Sequence, residues 1–202
     1  MNNKPRILAF TGSLRESSYT KRVVQTALRG AENAGADVTF ADLRDYPMPL
    51  FNSDDEETSG LVENALRFQE LLAAHDGFLI SSPEYNGSVT AAFKNAIDWA
   101  SRSGGPFKRS DIFTGKFAGI MTASPGSFGG IRALPHVRGI LMSVGVNVLS
   151  EEYAVSFVAD KLDANGDLTE EKTKRNLEGL GAALVNIILK TSEAKITATA
   201  TS

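Results

Sequence analysis

The chain is 202 residues long, enough for one sizeable buried core and short for two ordinary domains. Its 42% hydrophobic and 22% charged content lie near globular averages, and a net charge of −3 gives no electrostatic reason to expect nucleic acid or an acidic membrane surface as partner. Cysteine is absent, which excludes disulfides, thiol nucleophiles, iron-sulfur clusters and thiolate metal sites, so any redox chemistry falls to a bound cofactor. Residues 1–6 lack an apolar signal-peptide stretch and no run approaches the ~18 apolar residues of a membrane span, so a cytoplasmic protein without a membrane partner is expected.

Strand and helix patterns alternate along the chain, which predicts an α/β fold with a parallel sheet, because parallel neighbours need helical crossovers. The first strand is expected at 7–11 and the first helix at about 18–34, ended by Gly35. A second strand at 38–42 leads into a long segment, 44–57, that carries Tyr46, Pro47, Met48, Pro49, Leu50 and Phe51 and then an acidic run at 54–57, read as a solvated loop. The second helix spans about 61–74. The third strand, 77–82, is apolar almost to its end, as in a central strand buried on both faces.

Val89, Ala92, Phe93, Ala96, Ile97 and Ala100 recur at helical spacing and predict a core stripe on the third helix. The fourth strand is 117–123, and Ile131, Leu134, Val137, Leu141 and Val144 give the fourth helix its buried side before Gly145. A fifth strand at 146–149 is followed by 150–162, which shows no firm pattern. Residues 163–167 read as a turn, with Asp167 and Glu170 expected to cap a fifth helix buried through Leu177, Leu180, Leu184, Ile187 and Ile188. One domain is expected over 1–190, with 191–202 a frayed, disordered tail.

Three strands open into loops suited to a ligand, and in a parallel sheet such loops share one edge. The first, Gly12 to Ser18 in sequence, enters a helix N-terminus, where backbone N–H groups and the helix dipole favour a phosphate. Ser13, Ser17, Ser18 and Thr20 offer hydroxyls and Arg15 a charge-assisted fork; a plain helix cap with a surface arginine explains the same residues equally well. The second loop, Pro83, Glu84, Tyr85, Asn86, Gly87 and Ser88, can press backbone N–H groups against a flat polar ring, or can be a simple Asn-Gly turn. The third, Ser124, Pro125, Gly126, Ser127, Phe128, Gly129 and Gly130, lets a ring approach its backbone closely. Together they suggest phosphate at one end and a planar, hydrogen-bonding head at the other, as in a mononucleotide such as FMN.

Other chemistries find no support. His75 and His136 lack metal-ligand spacing and read as helix-surface or helix-end residues, so no metal is expected. A Gly-x-Ser-x-Gly elbow is absent. The glycine in 163–167 falls too early for an EF-hand, and Phe93 and Trp99 read as core.

Gly12, Ser13, Leu14 and Arg15 with Ser18, the second loop with Lys94, Asn95, Ala96, Ile97, Asp98 and Trp99 behind it, and Ser124 with Gly129 and Gly130 together resemble the NAD(P)H-dependent FMN reductases, a group that includes quinone, chromate and azo-dye reductases. The resemblance covers roughly residues 6–189. It implies a flavodoxin-like three-layer sandwich with a five-stranded parallel sheet of order 2-1-3-4-5. It implies non-covalent FMN, the phosphate on Ser13, Arg15, Ser18, Tyr19 and Thr20, and the isoalloxazine on Pro83, Glu84, Tyr85, Asn86 and Gly87 with Ser124 and Gly126 beyond. The family commonly has Asn where Thr20 stands. NADPH or NADH would donate, and a small acceptor such as a quinone, free flavin, azo dye or chromate would then take the same flavin face, with no catalytic acid, base or nucleophile among the side chains. Homodimers or homotetramers are implied, and residues 44–57 are expected to border the flavin edge or a subunit contact, the alternative being that they cover the protomer's own helix ends. A flavodoxin-type electron carrier with a protein partner and a flavin-binding module without turnover are the competing functions; net charge −3 and Arg15 count against the carrier.

Overall fold

A computed structural model describes residues 4–200, with side chains through residue 194. Alternation along β1, Arg6–Thr11, sends Ile7 and Ala9 to one face and Leu8 and Phe10 to the other, all fully buried. A strand apolar on both faces must be central, and β1 lies between β2, Asp37–Ala41, and β3, Gly77–Ser81. With β4, Phe117–Ala123, and β5, Asn147–Val155, the strands form a five-stranded parallel sheet of order 2-1-3-4-5. Chain direction across the sheet reverses between β1 and β3, and a ligand site is expected at that switch point.

Two cores flank the sheet. On one face lie α1, Tyr19–Asn33, and the long α7, Glu171–Ala200, packed through Val23, Val24, Ala27, Leu177, Leu180 and Leu184. These helices touch backbone to backbone: a Cβ on Gly30 would lie 2.0 Å from the Glu178 carbonyl oxygen, and one on Gly181 would lie 1.9 Å from that of Ala27. The opposite core joins Phe10, Phe78 and Ile80 to α3, Glu63–Ala73, α4, Ala91–Ala100, the short α5, Arg109–Ile112, and α6, Ala133–Ser143. On α4, Phe93, Ala96, Ile97 and Ala100 are buried as the pattern predicts, and Trp99 joins them. Val89 and Ala92 are half-buried.

Several expectations change. The segment after β2 is not wholly irregular: a 3-10 turn forms at Leu43–Asp45 and α2 at Ser53–Ser59. The acidic run is the first turn of α2, where carboxylates meet the positive end of the dipole, and Asn52 Oδ1 accepts from the Asp54 N–H at 3.1 Å. Glu56 is ion-paired with Arg102 rather than merely solvated. The aromatic stretch covers the chain's own helices: the Tyr46 and Phe51 rings lie 5.5 Å and 5.1 Å from Phe68 and Trp99, and the Trp99 indole donates to the Pro49 carbonyl at 2.8 Å. Within that apolar row Pro47, Pro49 and Leu50 are exposed, Leu50 at 76%.

β5 runs six residues beyond its expected end at Leu149, because an irregularity in its pairing with β4, between Ala118 and Ile120, breaks the alternation at Ser150, Glu151 and Glu152. Ile131 is exposed rather than buried, since α6 begins at Ala133, after a turn through Gly129 and Gly130 at positive φ. Asp167 does not cap α7; its N–H and that of Asn165 donate to Asp163 Oδ1, and the helix begins at Glu171. Residues 191–200, expected to fray, continue α7 to Ala200, and 201–202 lie outside the described residues. Among the described residues no helix is long and apolar enough to cross a membrane.

Candidate functional site

The three loops converge at the carboxyl edge of the sheet, and their approach depends on Gly12. A Cβ there would lie 2.7 Å from that of Phe93 and 2.9 Å from Thr90 Oγ1, so only glycine lets the end of β1 tuck against α4. Thr90 secures the junction: its hydroxyl donates to the Gly12 carbonyl at 2.5 Å and accepts from the Phe93 N–H as the cap of α4.

Beyond Gly12 the hydroxyls form a buried chain. Thr20 Oγ1 is paired with Thr11 Oγ1 and with Ser18 Oγ, each at 2.7 Å, and Ser13 Oγ accepts from the Arg15 N–H at 3.2 Å. Ser18 occupies the N-cap position of α1, yet its side chain accepts no helix N–H, and the first turn contains no acidic residue. A plain cap would have spent Ser18 on the helix. Instead the first-turn donors and the dipole are left facing the cavity.

In the second loop, Asn86 and Gly87 have φ of 52° and 81°, and Tyr85 and Ser88 exchange backbone hydrogen bonds of 2.9 Å and 3.1 Å. This is the two-residue turn that Asn-Gly favours, and its bonds leave the N–H groups of Asn86 and Gly87 pointing away. The simple Asn-Gly turn read in the sequence is therefore present. The Glu84 carboxylate is 8% exposed and is taken by Arg132, whose Nε donates at 2.6 Å and whose backbone N–H donates at 3.1 Å. Its backbone is what a ring could meet. Ser88 Oγ and His136 Nδ1, 2.7 Å apart, make a second tie from this loop to α6.

Ser124 Oγ accepts from the Gly126 N–H at 3.1 Å and shapes the third loop. A Cβ on Gly126 would meet only Ser124 Oγ, at 3.6 Å, so space lies open above it. One cavity is lined by Ser13, Arg15, Ser18, Tyr19, Thr20, Pro83, Glu84, Tyr85 and Ser124 with Ala123 and Pro125; the next by Glu84, Asn86, Gly87, Ser124 and Gly126 with Ser127, Phe128, Gly130 and Arg132. Glu84 and Ser124 line both, so the two cavities adjoin as a trough that collects the residues singled out in the sequence. Sequence reading missed Arg132 and Thr90, whose partners Glu84 and Gly12 lie far away in the chain and leave no local pattern.

Beside the trough, Lys21 of α1 forms an ion pair with Asp42, which also accepts from Arg44 Nη2 at 2.8 Å. Burial pushes the Asp42 carboxyl up, but hydrogen bonds from Arg44 and Lys21 outweigh it and hold the group at about 2. Among the described residues no acidic or histidine cluster could hold a metal ion.

A profile of NADPH-dependent FMN reductases matches residues 5–160. The chain belongs to that family. The reductase is 35% identical over 179 residues to the NAD(P)H-dependent FMN reductase of Pseudomonas aeruginosa, covering 88% of this chain and 92% of the relative. It is 31% identical over 190 residues to an NAD(P)H:quinone oxidoreductase of Solanum tuberosum, at 92% and 93% coverage. Among solved structures, the reductase resembles FerB, a flavoenzyme NAD(P)H:(acceptor) oxidoreductase of Paracoccus denitrificans, with a TM-score of 0.77, 30% identity, and coverage of 92% and 98%. The reductase is therefore an NAD(P)H-dependent FMN enzyme rather than a flavodoxin-type carrier.

Proposed function

We propose that FMN lies along the trough, its phosphate on Ser13, Arg15, Ser18, Tyr19 and Thr20 and its isoalloxazine against Pro83, Tyr85, Asn86, Gly87 and the backbone of Glu84, with Ser124 and Gly126 beyond. The observation that carries this reading is the junction of the two cavities through Glu84 and Ser124. The donor set suits the cofactor: an uncapped helix N-terminus without first-turn carboxylates answers a phosphate, and the free N–H groups of the Asn86-Gly87 turn answer the polar edge of a flat ring. When bound, FMN accepts a hydride equivalent from NAD(P)H and gives two electrons to an acceptor.

The chain's own part is binding and electrostatics. Backbone N–H groups and the α1 dipole favour added negative charge, and the site assigns no side chain as acid, base or nucleophile. Donor and acceptor use the one open side of the trough in turn, giving ping-pong turnover. Quinones lead the acceptors, supported by the quinone oxidoreductase of S. tuberosum, with free flavin, azo dyes and chromate after them. A homodimer or homotetramer in the cytoplasm completes the reading; exposed Leu50 and Met142 supply apolar surface for the assembly.

Purified protein should carry a flavin absorbance band at about one FMN per chain and should oxidise NADPH when a quinone is added. Protein that shows no such band and takes up no FMN on titration would overturn the cofactor assignment.

A further inference from the structure

Among the described non-glycine residues only Asn86 and Phe157 have positive φ. Asparagine tolerates that region through its short polar side chain; a phenylalanine at φ 49°, ψ 38° is strained. The surroundings enforce it. The Phe157 N–H donates to the Gly126 carbonyl at 3.2 Å, the Val158 N–H donates to the Ser124 carbonyl at 3.2 Å, and the Ser124 N–H donates to the Val155 carbonyl at 3.1 Å. Val155 and Val158 are buried in the α1 and α7 core, so the chain is drawn inward on both sides while Phe157 stays 49% exposed.

Glycine would hold the same turn without strain, and a polar residue would suit the exposure. Keeping a bare aromatic ring there costs the fold twice, beside a ligand edge where strain at a non-glycine residue points to function. Two other exposed aromatic residues line the trough, Tyr85 in the first cavity and Phe128 in the second, the cavity that Gly126 also lines.

Resting on the FMN reading above, we infer that Phe157, exposed on a fourth loop after β5 whose backbone is bonded to Gly126 and Ser124 of the trough, is a specificity-determining residue that contacts planar aromatic acceptors at the open side of the trough. Compact non-aromatic acceptors gain nothing from it, since ring contacts need a flat partner.

The test uses FMN-loaded enzyme and two variants, Phe157→Gly and Phe157→Tyr, with 1,4-naphthoquinone as planar probe and ferricyanide as non-aromatic acceptor. Oxidised enzyme cannot reduce the quinone, so perturbation of the flavin spectrum reports its dissociation constant without turnover. For Phe157→Gly we expect unchanged FMN affinity, an unchanged or higher melting temperature, quinone binding and kcat/KM weakened about tenfold, and ferricyanide kcat/KM unchanged. Phe157→Tyr should restore quinone binding. Unchanged quinone binding in the glycine variant overturns the assignment, as does an equal loss with ferricyanide or a loss of FMN. Wild-type protein that binds no FMN would instead bring down the cofactor reading, and this inference with it.

Discussion

Arg15 is exposed and lines the trough, and its backbone N–H is held by Ser13. Replacing it by alanine should leave folding intact and weaken FMN by one charge-assisted hydrogen bond, about 1.5 to 3 kcal/mol or roughly ten- to a hundredfold in dissociation constant. Fluorescence titration with FMN checks this, and an unchanged constant removes Arg15 from the site. Asp42 makes a different claim, about stability. Its carboxyl sits at about 2 in the fold against 3.8 when free, so the stabilisation from Lys21 and Arg44 is complete above pH 3.8 and is lost as pH falls through 2. The shift corresponds to about 2 kcal/mol. Denaturant unfolding of wild type and Asp42→Asn should show a stability gap that shrinks by about that amount between pH 5 and pH 2; a gap constant with pH would contradict it.

Between elements, the contact of α1 with α7 leaves no room for a methyl group at Gly30 or Gly181. Gly181→Ala has better helix propensity by up to about 1 kcal/mol, yet it should destabilise the protein because backbone cannot yield as a side-chain tip can. A thermal melt is sufficient, and an unchanged or higher midpoint would mean that the helices can separate cheaply. The segment after β2 now separates into two kinds of residue. Phe51 supports Trp99, so Phe51→Ser should lower stability, whereas Leu50→Ser should leave stability alone and shift solution mass if Leu50 is a subunit contact. Light scattering of Leu50→Ser decides it, with unchanged mass assigning Leu50 no part in assembly.

For the whole molecule, kinetics carry the prediction: on the proposed reading, in which donor and acceptor occupy one place in turn, varied NADPH at several fixed quinone concentrations should give parallel double-reciprocal lines. Intersecting lines would reveal both bound together. Much of this architecture was legible in the sequence because its information is local. Short apolar runs locate β1, β3 and β4, a 3.6-residue stripe locates α4, Gly35 ends α1, and the three loops stand where strands end. What escaped was set by contacts distant in the chain. The Glu84 carboxylate is held by Arg132, 48 residues on. β5 lost its alternation at a pairing irregularity, and α2 buries no residue and so shows no apolar stripe.

The ties among the loops run from protein to protein: Thr90 to Gly12, Glu84 to Arg132, Ser88 to His136, and Phe157 to Gly126. A trough braced in this way has already lost most of the conformational entropy that a floppy site surrenders on binding. Cofactor capture then becomes a docking event rather than a folding event. Apo-protein should remain a receptive reservoir, filling or emptying as the concentration of free FMN changes, and the extra heat resistance of the loaded form should follow from mass action alone.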